Sequence, residues 1–168
     1  MQRLAARLSH AINWFVERVI AALMVLLVLD VWLGVIDRYI FHWQLPWPEV
    51  LARYLMIWAA LLAISAGIAR REHIGLTLLL NHIPRVLRRP LLLALDILAL
   101  ALFVYVGWFG IDFALNGATR QAMIFDMTLA LPFAAVPVSA AVAALQLLLV
   151  ALRDQGRLIQ HEAEEALG

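Results

Sequence analysis

The residues in this chain that could do chemistry are acids and bases set into apolar sequence, where charge is costly. Asp30 interrupts an apolar run between Val19 and Ile36. An acid there can relay a proton, accept a buried hydrogen bond, pair with a base or meet another subunit, because intramembrane acids face protein or water rather than lipid. A buried hydrogen bond or an ion pair with Arg53 is the simplest structural expectation for Asp30. Glu49 and Arg53 stand at i and i+4 with the acid first, the favourable orientation on a helix. They can form a local pair that makes membrane entry tolerable, or an interhelical clamp that also engages Asp30, Asp37 or Arg38. Asp96 is shallower and within reach of the basic residues that precede it.

Other chemistry finds no support. The chain has no cysteine, which excludes disulfides, thiolate metal sites and cysteine nucleophiles. His10, His42, His73, His82 and His161 all fall outside the long apolar runs, so no axial pair for a buried haem is available. Metal-ligand spacing, a glycine-rich phosphate loop and a nucleophile motif are all absent. The expectation is a protein that is no enzyme and needs no cofactor or metal.

The elements that must position these charges are membrane helices. Of 168 residues, 65% are hydrophobic and 15% charged, and the mean hydropathy is +0.89. Soluble domains are nearer half apolar and a quarter charged. A helix crossing the hydrocarbon core needs about 20 mostly apolar residues. Four stretches meet that length, at about 19–36, 50–69, 91–113 and 127–152. The predicted fold is therefore an all-α integral membrane protein of one domain, with the acidic stretch 153–168 as a tail. Pro137 should kink the fourth helix or mark its irregular start. The run 74–83 is about 15 Å long as a helix, half a bilayer, and is flanked by arginines. It reads as an interfacial amphipathic helix between the second and third spans. Leu4, Leu8, Ile12 and Phe15 recur at helical spacing, predicting a second flat helix or a tilted extension of the first span. The first apolar run is too long for a signal-peptide core and should be retained as an anchor.

All thirteen basic residues are arginine. Ten of them (Arg3, Arg7, Arg18, Arg70, Arg71, Arg85, Arg88, Arg89, Arg153 and Arg157) fall at the N-terminus, between spans two and three, or after span four. Arg38, Arg53 and Arg120 lie toward the other side. By the positive-inside rule both termini are cytoplasmic. Arg70, Arg71, Arg85, Arg88 and Arg89 then lie at the inner face, where they set topology and can bind anionic headgroups. His73, between Glu72 and Ile74, fits an interfacial hydrogen-bonding residue. Tyr39, Trp43 and Trp47 fit an aromatic belt at the outer face. Trp58 falls near mid-membrane, facing lipid or filling a helix or subunit interface.

The ordered set Arg38-Tyr39-x-Phe41, Trp47-x-Glu49, Arg53-Tyr54, Trp58 and Arg70-x-x-His73-Ile74 resembles the small membrane subunit (DctQ-like, or small permease) of tripartite ATP-independent periplasmic (TRAP) transporters. So do a flat segment after Ile74 and the prolines opening span four, Pro132 and Pro137. The chain departs from that pattern at Val50, where the family commonly carries a second acid, at Ile64, where a small residue is typical, and at Thr77, near which an acid often follows. The resemblance implies a multi-pass protein of the bacterial inner membrane. It implies an accessory scaffold bracing a large multi-span subunit, which imports an organic anion by ion-gradient-driven symport with a periplasmic solute-binding protein. Asp30, Arg38, Trp47, Glu49, Arg53 and Trp58 become candidates for subunit contact. Membrane lipids are further partners, and nucleic acid is not. The alternatives are a self-sufficient small carrier using Asp30, or a non-haem membrane anchor subunit of another complex.

Overall fold

The computed structural model of the chain describes residues 2–70, 85–122 and 127–167. Helix α1 (Gln2–Ile36) runs into one π turn, Asp37–Phe41. It is followed by α2 (Pro48–Arg70), α3 (Arg85–Ala118), the single turn α4 (Ala130–Phe133) and α5 (Ala135–Leu167). Four segments are long and apolar enough to cross a membrane: Leu4–Phe41, Trp47–Arg70, Pro90–Ala118 and Ala130–Leu152. The interfacial helix expected at 74–83 lies outside the described residues.

The helices overrun the expected spans for local reasons. Of the two expectations for the first eighteen residues, continuity holds: α1 passes without a break through Glu17 and Arg18. Both charges are engaged on the helix surface, Glu17 by Asn13 Nδ2 at 2.9 Å and Arg18 by the Trp14 ring, 3.3 Å from its centroid. Pro48 opens α2, where its missing N–H costs nothing and its fixed φ suits a first turn. Pro132 and Pro137 remove the donors that the Thr128 and Phe133 carbonyls would otherwise receive, so the fourth span starts as two pieces hinged at Ala134. Pro137 is thus the third residue of α5, at an irregular start rather than at a mid-helix kink. Beyond residue 152, the backbone of the expected tail continues as helix to Leu167.

Helix α5 is the centre of the bundle and touches α1, α2 and α3, while α2 packs against both α1 and α5. The most apolar stretch of α5 is 44% buried, that of α1 is 6% and that of α3 is 0%. The two outer helices hold few fully buried residues and pack on the bundle mainly through half-buried ones. Lipid removes the hydrophobic drive between helices, so association depends on close packing of small residues and on interhelical hydrogen bonds. Both are present. Ile68, Ala143 and Leu147 are buried at the α2–α5 contact, with Ala99, Leu100 and Phe103 of α3 against them. A Cβ at Gly110 would stand 3.1 Å from the Pro137 nitrogen, and one at Gly117 would stand 2.9 Å from the Leu129 carbonyl oxygen. These two glycines let α3 approach the proline-broken start of the fourth span.

Candidate functional site

The side chains singled out by sequence do not converge on one place. They divide between the end of the bundle that carries residues 42–47, 119–122 and 127–129 (the loop end) and the opposite end, where α2 stops at Arg70.

At the loop end, Asp30 is 6% exposed, and neither carboxylate oxygen has a hydrogen-bond partner among the described residues. It faces the backbone amide of Ala52 in α2, in a geometry short of a hydrogen bond. The expected ion pair between Asp30 and Arg53 is absent. Arg53 instead pairs with Glu49 at 3.5 Å, and both are open to the surroundings, 64% and 83% exposed. Helical register explains the choice: Glu49 is one turn away on the same face of α2, whereas Asp30 is sealed behind the α1–α2 contact. Within this chain the pair engages neither Asp37 nor Arg38, and Arg38 projects from the π turn with its side chain exposed. Trp47 is half-buried at the start of α2, where its carbonyl accepts the Leu51 amide at 2.9 Å.

Asp37 has a different task. Its Oδ1 accepts the Trp43 amide and its Oδ2 the Leu45 amide, both at 2.9 Å, and its carbonyl accepts the His42 amide at 2.6 Å. One buried residue thus closes the end of α1 and fixes the connection to α2. His42 and Gln44 hold positive φ of 56° and 53°, conformations costly to side-chain-bearing residues and sustained by this network. The fixed loop presents Phe41 and Trp43 stacked at 4.5 Å. Gly34, one turn before Asp37, lets the same stretch of α1 lie against Pro48.

Trp58 lines a cavity of about 240 Å³ bounded by Leu23 of α1, by Leu51, Tyr54 and Leu55 of α2, and by Met127, Leu131 and Pro132. No charged side chain lines it. The indole Nε1 is buried without an acceptor among the described residues.

At the opposite end, Arg70 donates through Nε (3.2 Å) and Nη2 to Oε1 of Glu17, joining α2 to α1. Gln146 of α5 is fully buried, and its Nε2 donates to the Ser9 hydroxyl at 2.7 Å and to the Ser9 carbonyl at 3.2 Å. Sequence reading missed Glu17, Ser9 and Gln146 as contact residues. Its one available signal was Gln146, an amide inside an otherwise aliphatic helix. Arg71 and His73 lie outside the described residues, as do the side chains of Arg85, Arg88 and Arg89. Among the described residues no three His, Asp or Glu side chains gather as a metal site would require.

A bundle of four helices long and apolar enough to cross a membrane, two of them tied by the buried Gln146–Ser9 contact, defines a multi-pass membrane protein. The sequence model for the DctQ component of tripartite ATP-independent periplasmic transporters matches residues 27–157, and the chain belongs to that family of transporter components. It is 32% identical over 77 residues to a Haemophilus influenzae protein described as a TRAP transporter small permease protein, a match covering 46% of this chain and 48% of the relative. It is also 33% identical over 55 residues to the sialic acid TRAP transporter permease protein SiaT of Haemophilus influenzae, covering 33% of this chain and 9% of that protein. The matched stretch thus spans about half of the first relative and about a tenth of the second.

Proposed function

We propose that this chain is the small membrane subunit that braces a larger, multi-span subunit of a tripartite transporter, and that the larger subunit carries a carboxylate-type organic anion inward on an ion gradient. A periplasmic binding protein delivers the solute. Both termini are cytoplasmic, which sets the Arg70 end of the bundle at the inner face and the loop end at the periplasmic face of the inner membrane. The observation that carries this reading is how the polar groups are used. Ser9, Glu17, Arg70 and Gln146 tie helices together, Asp37 holds a loop, and the cavity beside Trp58 has no charged lining. A solvated route for an anion needs converging polar groups, and a brace needs rigid cross-ties. Membership of a transporter-component family supplies the setting.

Uptake by reconstituted vesicles tests this. Vesicles holding this chain, its large companion and the binding protein should accumulate solute, and vesicles holding this chain alone should not. Solute uptake by the lone chain would sink the bracing role.

One observation favours a second reading, a self-sufficient carrier: Asp30 is a buried acid with both oxygens unpartnered among the described residues. Under that reading Asp30→Asn abolishes uptake by the lone chain while leaving it folded. Under the bracing reading the same substitution leaves uptake by the full complex within about twofold of wild type, since isosteric neutralisation of a buried charge is often tolerated.

A further inference from the structure

Two acids in the loop-end halves of their helices face opposite ways. Asp30 lies eleven residues before Phe41, where the π turn continuing α1 stops, and Asp112 lies six residues, about 9 Å, before the end of α3. On α1 the acid is turned inward. The outward surface there (Val25, Leu29, Trp32 and neighbours) carries no ionisable group between Val19 and Ile36, as a lipid-facing surface should not. On α3 the acid is turned outward. Asp112 is exposed, inside the apolar span Pro90–Ala118, and has no hydrogen-bond or ion-pair partner among the described residues. Ionisable side chains within membrane spans face the interior of a bundle. The exposed face of α3 therefore faces more protein.

The surroundings of Asp112 agree. Leu98, Leu102, Tyr105, Phe109 and Asp112 follow one another at spacings of four, three, four and three residues, a single seam along α3. Tyr105 is 62% exposed and Trp108, one turn before Asp112, is 71% exposed. A tyrosine hydroxyl here wants a polar partner, and Tyr and Trp anchor protein interfaces disproportionately.

We propose that this face of α3 is the docking face for the large membrane subunit, and that the helix seated on it carries an arginine or lysine level with Asp112. This rests on the small-subunit reading above. The occupant follows from charge complementarity: an outward carboxylate in an apolar span needs a cation, and this chain supplies none to it among the described residues.

The test uses the chain co-expressed with its large companion. Benzoylphenylalanine in place of Trp108 is photo-activated in native membranes, with the same residue in place of Leu29 on α1 as the comparison. An adduct with the large subunit is expected from position 108 and not from position 29. Asp112→Lys should lower recovery of the large subunit at least about tenfold, as like charges facing each other at a desolvated contact do, and Asp112→Asn should lower it less. The isolated chain should melt as wild type in both variants, because Asp112 has no partner to lose among the described residues. Adducts from position 29 alone, adducts at 108 with lipid or a second copy of this chain, or undiminished recovery of Asp112→Lys would each overturn the proposal. If the wild-type chain recovers no large subunit, the small-subunit reading has failed and the docking face falls with it.

Discussion

Arg70 on α2 donates two hydrogen bonds to one carboxylate oxygen of Glu17 on α1, closing a contact between residues 53 apart in sequence. Glu17→Gln and Arg70→Gln should each lower the melting temperature in detergent slightly, because the pair is partly exposed and such pairs are weak. The exchange Glu17→Arg with Arg70→Glu should recover part of the loss. Equal loss in the singles and the exchange would mean that the two side chains act through separate neighbours.

Glu49 and Arg53 offer the opposite case. At 3.5 Å and largely exposed, the pair contributes only about 0.3–0.5 kcal/mol to the isolated chain. Removing either charge should leave the free chain's unfolding midpoint nearly unchanged. If the pair is a clamp for the larger subunit, each single substitution weakens co-purification and the charge swap partly restores it. A loss of stability in the free chain matching the loss of the complex would assign the pair to folding instead.

Two glycines should respond oppositely to alanine. At Gly117 the new methyl meets Phe133 Cδ2 at 2.8 Å and the Leu129 backbone, so α3 must shift, at a cost of about 1–3 kcal/mol. At Gly67 nothing lies within 4 Å. There alanine should be neutral or stabilise α2 by up to about 1 kcal/mol through helix propensity. Unfolding in graded SDS reads both, and similar values for the two would contradict the close approach of α3 to the Leu129 turn.

Asp37→Ala removes the acceptors for the Trp43 and Leu45 amides. Their hydrogen exchange should accelerate at least about tenfold, for a lost contribution on the order of 2 kcal/mol, and the Phe41–Trp43 stack should loosen. Exchange in α3 should not change. Unaltered protection at Trp43 and Leu45 would show that the loop holds itself.

The membrane spans were legible because hydropathy is a local property, and the Glu49–Arg53 pair was legible because helical register is too. The proline-broken start of the fourth span was legible for the same reason, since Pro137 acts on its own turn. The contacts of Glu17 and Gln146 were not. Each partner is set by how two helices slide and rotate against one another, which depends on Gly34, Gly110 and the buried alanines together rather than on any one residue. Charge misled at one point: Arg53 seemed free for Asp30 until the exposure of α2's face was known. The role of Asp37 depended on two positive-φ residues, His42 and Gln44, that no composition rule marks.

The uninterrupted α1 is 35 residues long, about 52 Å, against a hydrocarbon core of about 30 Å. Near one end it is tied to α5 through Ser9, and at mid-length to α2 through Glu17. Such a rod can match a bilayer only by tilting or by projecting from it. Because it is bound to its neighbours, it cannot tilt alone. A change in bilayer thickness is thereby converted into rotation of the whole bundle.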